Sequence, residues 1–417
     1  MEFWGVIQKY YAFFCFFLIK DLSLPPKTPE IPDHQEKNEP MLQIIVFFFV
    51  LFLAILADLY IWDNHLRRLS VVWQVLHFLP VVVLMVSIIL LAVKGMNTLL
   101  FRIIFIVLLC VVLPQLLLLC FWGAGKIFTN AASTLGTIGL IVAFVISLAS
   151  LYGLVWGWRH LVVKQQTIEV SDLPPEFDGF RIVQISDLHL EMFQGQEDFI
   201  RLLVDSVNNA KPDLIIFTGD LVSRQSKEVL PFIDILSKLK ARHGVMSILG
   251  NHDYSIYGPF HDSPQAIERD FNLLKDYQHQ MGWDLLLNEH RFIRRDSAQI
   301  AVIGVENEGK SGKVRRADLP RAMQGVPDSC FKILLTHDPY HWRHEVTRST
   351  NIQLTFSGHT HAAHFRVGDV SPSRLIYSEW AGLYRQGFQQ LFISAGIGGM
   401  LSFRLGAWPE INVITLL

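Results

Sequence analysis

The stretch Arg181-Ile182-Val183-Gln184-Ile185-Ser186-Asp187-Leu188-His189 reads as a short buried strand running directly into a carboxylate and an imidazole. Later stretches repeat the design. The apolar run 214–218 precedes Gly219-Asp220, and 245–249 precedes Gly250-Asn251-His252-Asp253. Then 332–336 leads into His337-Asp338, and 353–357 leads into Gly358-His359-Thr360-His361. Each polar motif therefore occupies the loop after a strand, which is where open α/β sheets place their ligands. A single Asp-x-His or Gly-Asp arises constantly by chance; the information lies in their joint order.

The residue types define the chemistry. Asp187 and His189 lie two apart, so an extended backbone would point both side chains to one side. Gly219 permits a tight turn that brings backbone close to a metal, and the carboxylate of Asp220 can bridge two cations with its two oxygens. Asn251 offers a neutral carbonyl oxygen, and His252 beside it an imidazole able to donate a proton. His337, His359 and His361 add three more nitrogen ligands. Imidazole and carboxylate without thiolate suit Mn, Fe or Zn better than Mg or a structural zinc site. A hydroxide held between two such metals is a nucleophile for in-line attack on phosphorus.

Beyond these runs, 300–305, 391–395 and 411–416 also read as strands, and 196–209 and 230–241 have helical spacing of apolar residues. Alternation of strand and helix early on, followed by a strand-rich part, predicts a two-sheet core with helices outside.

The five motifs in this order resemble the calcineurin-like metallophosphoesterase superfamily, whose pattern is D-x-H, G-D, G-N-H-[DE], H and G-H-x-H. The resemblance covers about residues 179–417. It implies an α/β fold, a four-layer αββα metallophosphoesterase sandwich with metals at the strand ends. It further implies one metal on Asp187, His189, Asp220 and His361, and a second on Asp220, Asn251, His337 and His359. His252 would steady the phosphoryl oxygens or protonate the leaving group, oriented by a nearby carboxylate. Leu286-Leu287-Asn288-Glu289, Gly382-Leu383-Tyr384 and Ser394-Ala395-Gly396-Ile397-Gly398 are similar to its membrane-associated bacterial branch, which includes YkuE- and YaeI-type enzymes and UDP-diacylglucosamine pyrophosphohydrolases. One departure stands out: that branch usually follows G-H-T-H with Gly-Gly-Gln, whereas here Ala362-Ala363-His364 follows. Glu306-Asn307-Glu308 lies where an acidic residue is common.

The N-terminal half differs in kind. Hydrophobic residues make up 51% of the chain and charged residues 18%, with the apolar excess concentrated before residue 165. Four stretches, 41–62, 71–93, 103–122 and 135–158, are long enough to cross a hydrocarbon core of roughly 30 Å. Trp62, Trp73, Trp122, Trp156 and Trp158 cluster near their ends, as an aromatic belt would. The expected organisation is thus 1–40 as an N-terminal segment with a Pro-rich linker, 41–160 as a bundle of about four transmembrane helices, and 165–417 as the metallophosphoesterase domain. The first segment reads as an interfacial anchor, a signal-like segment, or sequence upstream of a start at Met41. With both ends of the bundle on one side, that side carries Lys20, Lys27, Lys37, Lys94, Arg102, Arg159 and Lys164 against Arg67, Arg68 and Lys126 opposite. This bias places the catalytic domain on the cytoplasmic face of the cell membrane, although a start at Met41 reduces it to four against three.

A net charge of −2 points away from nucleic acid as a partner. The four cysteines suggest unpaired thiols rather than a disulfide framework. The expected partners are the lipid bilayer and a phosphorylated lipid or lipid-linked nucleotide as substrate. The alternatives are a soluble nucleotide or phosphoprotein as substrate, and a non-enzymatic regulatory domain on a small transporter.

Overall fold

The computed structural model describes residues 39–94, 98–260, 263–310 and 314–417. Expectations for residues 1–38, including the linker and its lysines, lie outside these. The chain divides into two compact units, one ending at Val155 and the other running from Trp156 to Leu417.

The first unit is helical: α1 (Glu39–Ile61), α2 (Val71–Lys94), α3 (Thr98–Val107), α4 (Leu113–Ile127) and α5 (Ala132–Val155). Among the described residues three runs are long and apolar enough to cross a membrane: Val71–Leu91, Leu99–Ile127 and Thr129–Arg159. The fourth expected stretch forms α1, whose side chains are described only at Phe49 and from Leu51 onward. Small and aliphatic residues such as Ala54, Leu84, Ile104 and Val112 close the interior of the unit, while Val72, Ile89, Leu140 and Phe144 face outward.

Several polar groups inside this unit are satisfied by neighbouring helices. Pro114 has no N–H to give the carbonyl of Cys110, and the helix responds with a π turn over Leu108–Val112 between α3 and α4. Ser147 Oγ from α5 donates to that carbonyl at 3.4 Å. Neighbouring helices re-satisfy freed backbone groups in this way within an apolar medium. Buried Asp58 accepts from Gln115 Nε2 at 2.8 Å and faces His77 Nε2 at 3.4 Å, joining α1, α2 and α4.

The second unit holds two six-stranded sheets. The first runs in the order β1 (Val162–Ile168), β12 (Glu410–Leu416), β2 (Arg181–Ile185), β3 (Leu214–Phe217), β4 (Val245–Ser247), β5 (Trp283–Leu285). The second runs β10 (Gly382–Gln386), β11 (Gln389–Ile393), β9 (Leu354–Ser357), β8 (Phe331–Leu335), β7 (Ala298–Gly304), β6 (Glu289–Arg295). All eight strands anticipated from the sequence form.

Alternation along the strands assigns residues to layers. Ile182, Leu214, Ile216, Ile300, Val302, Ile333 and Phe356 meet in one core shared by both sheets. Val183, Ile185, Ile215 and Phe217 point the other way, onto α6 (Glu197–Asn209) and its neighbours. Ala301, Ile303 and Leu334 likewise meet Trp342 and Val346 beyond the second sheet. With both faces covered, the central strands read as nearly continuous apolar runs. The segment 230–241 differs from expectation. It forms a 3₁₀ stretch, Ser226–Phe232, and a short helix, Ile233–Leu236. Pro231, lacking a donor, interrupts a regular helix there.

Strands β2, β3 and β4 are parallel neighbours, as are β8 and β9. Their carboxyl-terminal loops therefore gather at one end of the unit. Buried Gln184 ties the two sheets together at that end, donating to Thr218 Oγ1 at 3.0 Å and to the Ser357 carbonyl at 2.9 Å.

Candidate metal centre

Three of the five loops enter the site through unusual backbone. Asp187, His189, Asp220, His359 and His361 all have positive φ, between 46° and 72°. Such values are uncommon for residues with a Cβ and cluster at functional sites. The expectation of an extended Asp187–His189 segment is thus corrected. The N–H of Asp187 donates to Gly219 O and that of His189 to Asp220 O, folding the loop across the neighbouring one. Two glycines make the convergence possible. A Cβ on Gly250 would fall on Asp220 Oδ1, and one on Gly358 would fall on Ser186 and Asp187.

The side chains form two groups that share Asp220. Ligand atoms of Asp187, His189, Asp220 and His361 all lie within 4.8 Å of one another, as do those of Asp220, His337 and His359. His189 Nε2 stands 3.4 Å and His337 Nε2 3.2 Å from Asp220 Oδ2. His361 Nε2 is 3.2 Å from His189 Nε2 and 3.5 Å from Asp187 Oδ1. His359 presents Nδ1 to His337 Nε2 at 3.2 Å. The backbone N–H of His359 also donates to both oxygens of Asp187 at 3.1 Å, linking the two groups.

The donor set fits divalent cations. His337 Nδ1 donates to the Thr218 carbonyl at 2.7 Å, which turns Nε2 toward the cluster. Asn251 contributes the sharpest indication. Its Oδ1 is buried with no hydrogen-bond partner, in the loop whose next residue, His252, gives its N–H to Asp220 Oδ1 at 2.9 Å. A buried carbonyl oxygen left orphaned beside a carboxylate cluster is costly unless a cation takes its lone pair.

The electrostatics agree. Burial pushes the Asp187 carboxyl up, with the Asp220 charge adding to it. Burial opposes ionisation of Asp220 as well, but His337, His252 and His189 hold it well below the usual carboxylate range. Burial would lower His337, yet Asp220 and Asp187 together push it up to about 10. Without a cation, the cluster thus compensates its carboxylates with a proton on imidazole.

His252 stands apart from both groups. Burial lowers it to about 4, and its Nδ1 donates to the Ser223 carbonyl at 2.7 Å. A backbone carbonyl, rather than the expected carboxylate, sets its tautomer and leaves Nε2 unprotonated. Tyr257 covers the ring, with centroids 4.5 Å apart.

The chain is similar to known proteins across this unit. The family model for calcineurin-like phosphoesterases matches residues 180–363. The uncharacterized metallophosphoesterase YkuE of Bacillus subtilis is 30% identical over 270 residues, covering 62% of this chain and 86% of YkuE. The chain belongs to the calcineurin-like metallophosphoesterases. It is accordingly a metal-dependent phosphoesterase. The uncharacterized metallophosphoesterase YkoQ of Bacillus subtilis is 25% identical over 66% of this chain and 98% of its own length. A zebrafish transmembrane protein with metallophosphoesterase domain is 28% identical over 66% of this chain, which spans 62% of that relative.

Several residues of this phosphoesterase site were given no role by the motif reading. Asp253, already visible as the fourth letter of Gly-Asn-His-Asp, accepts the N–H groups of Asp220, Leu221, Val222 and Gly250 at 2.8–3.1 Å. Burial pushes it up to about 7, aided by the charge on Asp220. Glu228 does similar work one loop away, accepting from Glu191, Ser223, Arg224 and Gln225. Fully buried Arg404 donates to the carbonyls of Ala395, Ala407 and Gly398 behind His361. Glu306 is a clamp rather than a site residue, accepting from Tyr254 Oη and Asn288 Nδ2. His364 packs on His361, rings 5.2 Å apart, and donates through Nδ1 to Phe403 O.

Proposed function

We propose that this chain is a membrane-anchored two-metal phosphohydrolase, with its catalytic unit a four-layer αββα sandwich. Its substrate is a phosphate ester or pyrophosphate of a lipid or lipid-linked nucleotide. The observation that carries the two-metal reading is the sharing of Asp220 by two ligand groups, with the orphaned Asn251 oxygen alongside. Asp187, His189, Asp220 and His361 would hold one cation, and Asp220, Asn251, His337 and His359 the other, with Mn, Fe or Zn the best match to nitrogen and oxygen ligands. Bound divalent cations supply charge compensation for the phosphoryl group and lower the proton affinity of water.

The protein's own groups do the rest. The Ser223 carbonyl fixes the proton of His252 on Nδ1, so Nε2 faces the site as an acceptor at neutral pH. An anionic phosphate beside it would raise its proton affinity, so that Nε2, having taken a proton from solvent, would steady a phosphoryl oxygen or pass that proton to the leaving oxygen. Asp253 holds the Asp220 and Asn251 loops at fixed spacing.

Support for a lipid substrate is the presence in one chain of this site and three helices long and apolar enough to cross a membrane. The similarity to a relative described as a transmembrane protein points the same way. We place the catalytic unit on the cytoplasmic face, on the lysine and arginine bias of the flanks, and count α1 as a fourth span. The test is hydrolysis by the Mn-loaded full chain of phospholipids and lipid-linked nucleotides against soluble phosphoesters. Preference for the amphiphiles supports the proposal; turnover confined to soluble esters removes its lipid part.

A further inference from the structure

His359 is the most exposed imidazole of the cluster, ahead of His361 at 15%. His337, at 0% side-chain exposure, and His189, at 1%, are locked in place by burial, but His359 is 24% exposed. Its ring therefore depends on what holds its outer nitrogen. That group is the Tyr377 hydroxyl, 2.9 Å from His359 Nε2. The same hydroxyl lies 3.5 Å from Asp338 Oδ2, which is also 3.5 Å from His359 Nε2.

The directions of these bonds follow from the chemistry. A carboxylate only accepts, so the Tyr377 O–H points to Asp338 and its oxygen lone pair faces His359 Nε2. His359 then carries its proton on Nε2, and Nδ1 enters the cluster as a lone pair. Asp338 is itself fixed: it is 1% exposed and accepts the N–H of Tyr340 at 2.9 Å and of Lys310 at 3.1 Å. Lys310 Nζ in turn donates to Ile376 O at 2.8 Å and lies over the Tyr377 ring, 5.6 Å from its centroid.

We propose that Tyr377, backed by Asp338, is the positioning residue that presents His359 Nδ1 to the second cation, so that occupancy of that site depends on its hydroxyl. The inference rests on the two-metal reading above. It assigns to a tyrosine outside all five motifs control over one metal site and not the other. Partners behind metal-ligating histidines set tautomer and ring direction, and their loss weakens metal binding roughly 10–100-fold.

The test is Tyr377→Phe in the full chain, with Mn(II) titrated by calorimetry and followed by electron paramagnetic resonance. The wild type should bind two ions and give a spin-coupled signal. The variant should keep the first affinity, lose roughly 10–100-fold at the second site, and show an uncoupled mononuclear signal until excess Mn(II) restores the coupling. Second-site affinity within twofold of wild type overturns the inference, as does equal weakening of both sites, which would mark a general packing role. Should Tyr377→Phe fail to fold, Asp338→Asn gives the same reading. A wild type that never binds a second ion fails the two-metal reading instead, and the two failures are thereby distinct.

Discussion

The backbone N–H of His252 donates to Asp220 Oδ1 at 2.9 Å, so the His252 imidazole is mounted on the carboxylate shared by both ligand groups. The mount is backbone, and the imidazole ring takes no part in it. Removing the ring therefore leaves the cluster standing. His252→Ala should retain its metal content while turnover falls roughly 10²–10⁴-fold, the range for positioned acid–base groups. Elemental analysis beside steady-state kinetics checks both halves; normal turnover would remove the role assigned to His252.

Metal binding should release protons. Burial disfavours charge on His337, but the adjacent Asp220 and Asp187 push it up to about 10, so the metal-free cluster carries that proton at neutral pH. A cation on Nε2 must displace it. Below about pH 10 the apparent affinity should therefore rise with pH, by up to tenfold per unit for one proton displaced. Calorimetry in buffers of different ionisation enthalpy reads the proton count, and a pH-independent affinity would contradict the assignment.

Gly250 has no room for a side chain, because a Cβ there falls on Asp220 Oδ1. Gly250→Ala should displace Asp220 and lower metal content at both sites together. Gly282 offers a control: its φ is +76° but a Cβ meets nothing within 4 Å, so Gly282→Ala should cost stability without touching metal content.

Ala362, Ala363 and His364 form a left-handed turn, with φ of 46°, 47° and 60°. Each L-residue there carries about 1–2 kcal/mol of strain, whereas glycine's extra chain entropy costs roughly 0.5–1 kcal/mol. Ala363→Gly should accordingly stabilise the catalytic unit by roughly 0.5–1 kcal/mol, seen as a higher thermal midpoint. Ala362→Gly should gain less, since the Ala362 methyl is buried against Trp380, Ala395 and Ala407.

The central strands and the cluster were legible because their signals are local. Apolar runs mark β2, β3, β4, β8 and β9, and each ends within a few residues of its metal-capable side chain. Four strands were not legible. β1 (VVKQQTI) and β6 (EHRFIRR) are edge strands whose polar residues break the apolar pattern, and β1 forms only by pairing with β12 at the far end of the chain. β5 and β10 are likewise terminal in their sheets, and β5 has only three residues. The left-handed backbone at Asp187, His189, Asp220, His359 and His361 has no signature in residue type, because tertiary contacts impose it. Ser223 was invisible for another reason: it orients His252 through a main-chain carbonyl, which any residue carries. Tyr377 stands in a loop whose position on His359 follows from long-range packing, not from spacing along the chain.

The central claim is that Asp220 joins two divalent ions into one phosphohydrolase centre. The most direct measurement is the metal stoichiometry of the purified full chain and its Asp220→Ala form, with phosphoester hydrolysis followed through chelation and Mn(II) return. The expected result is two ions per wild-type chain, activity abolished by chelator and restored by Mn(II), and loss of both ions and activity in Asp220→Ala. Undiminished turnover by a chelated, metal-free chain, or two tightly held ions in Asp220→Ala, would contradict it.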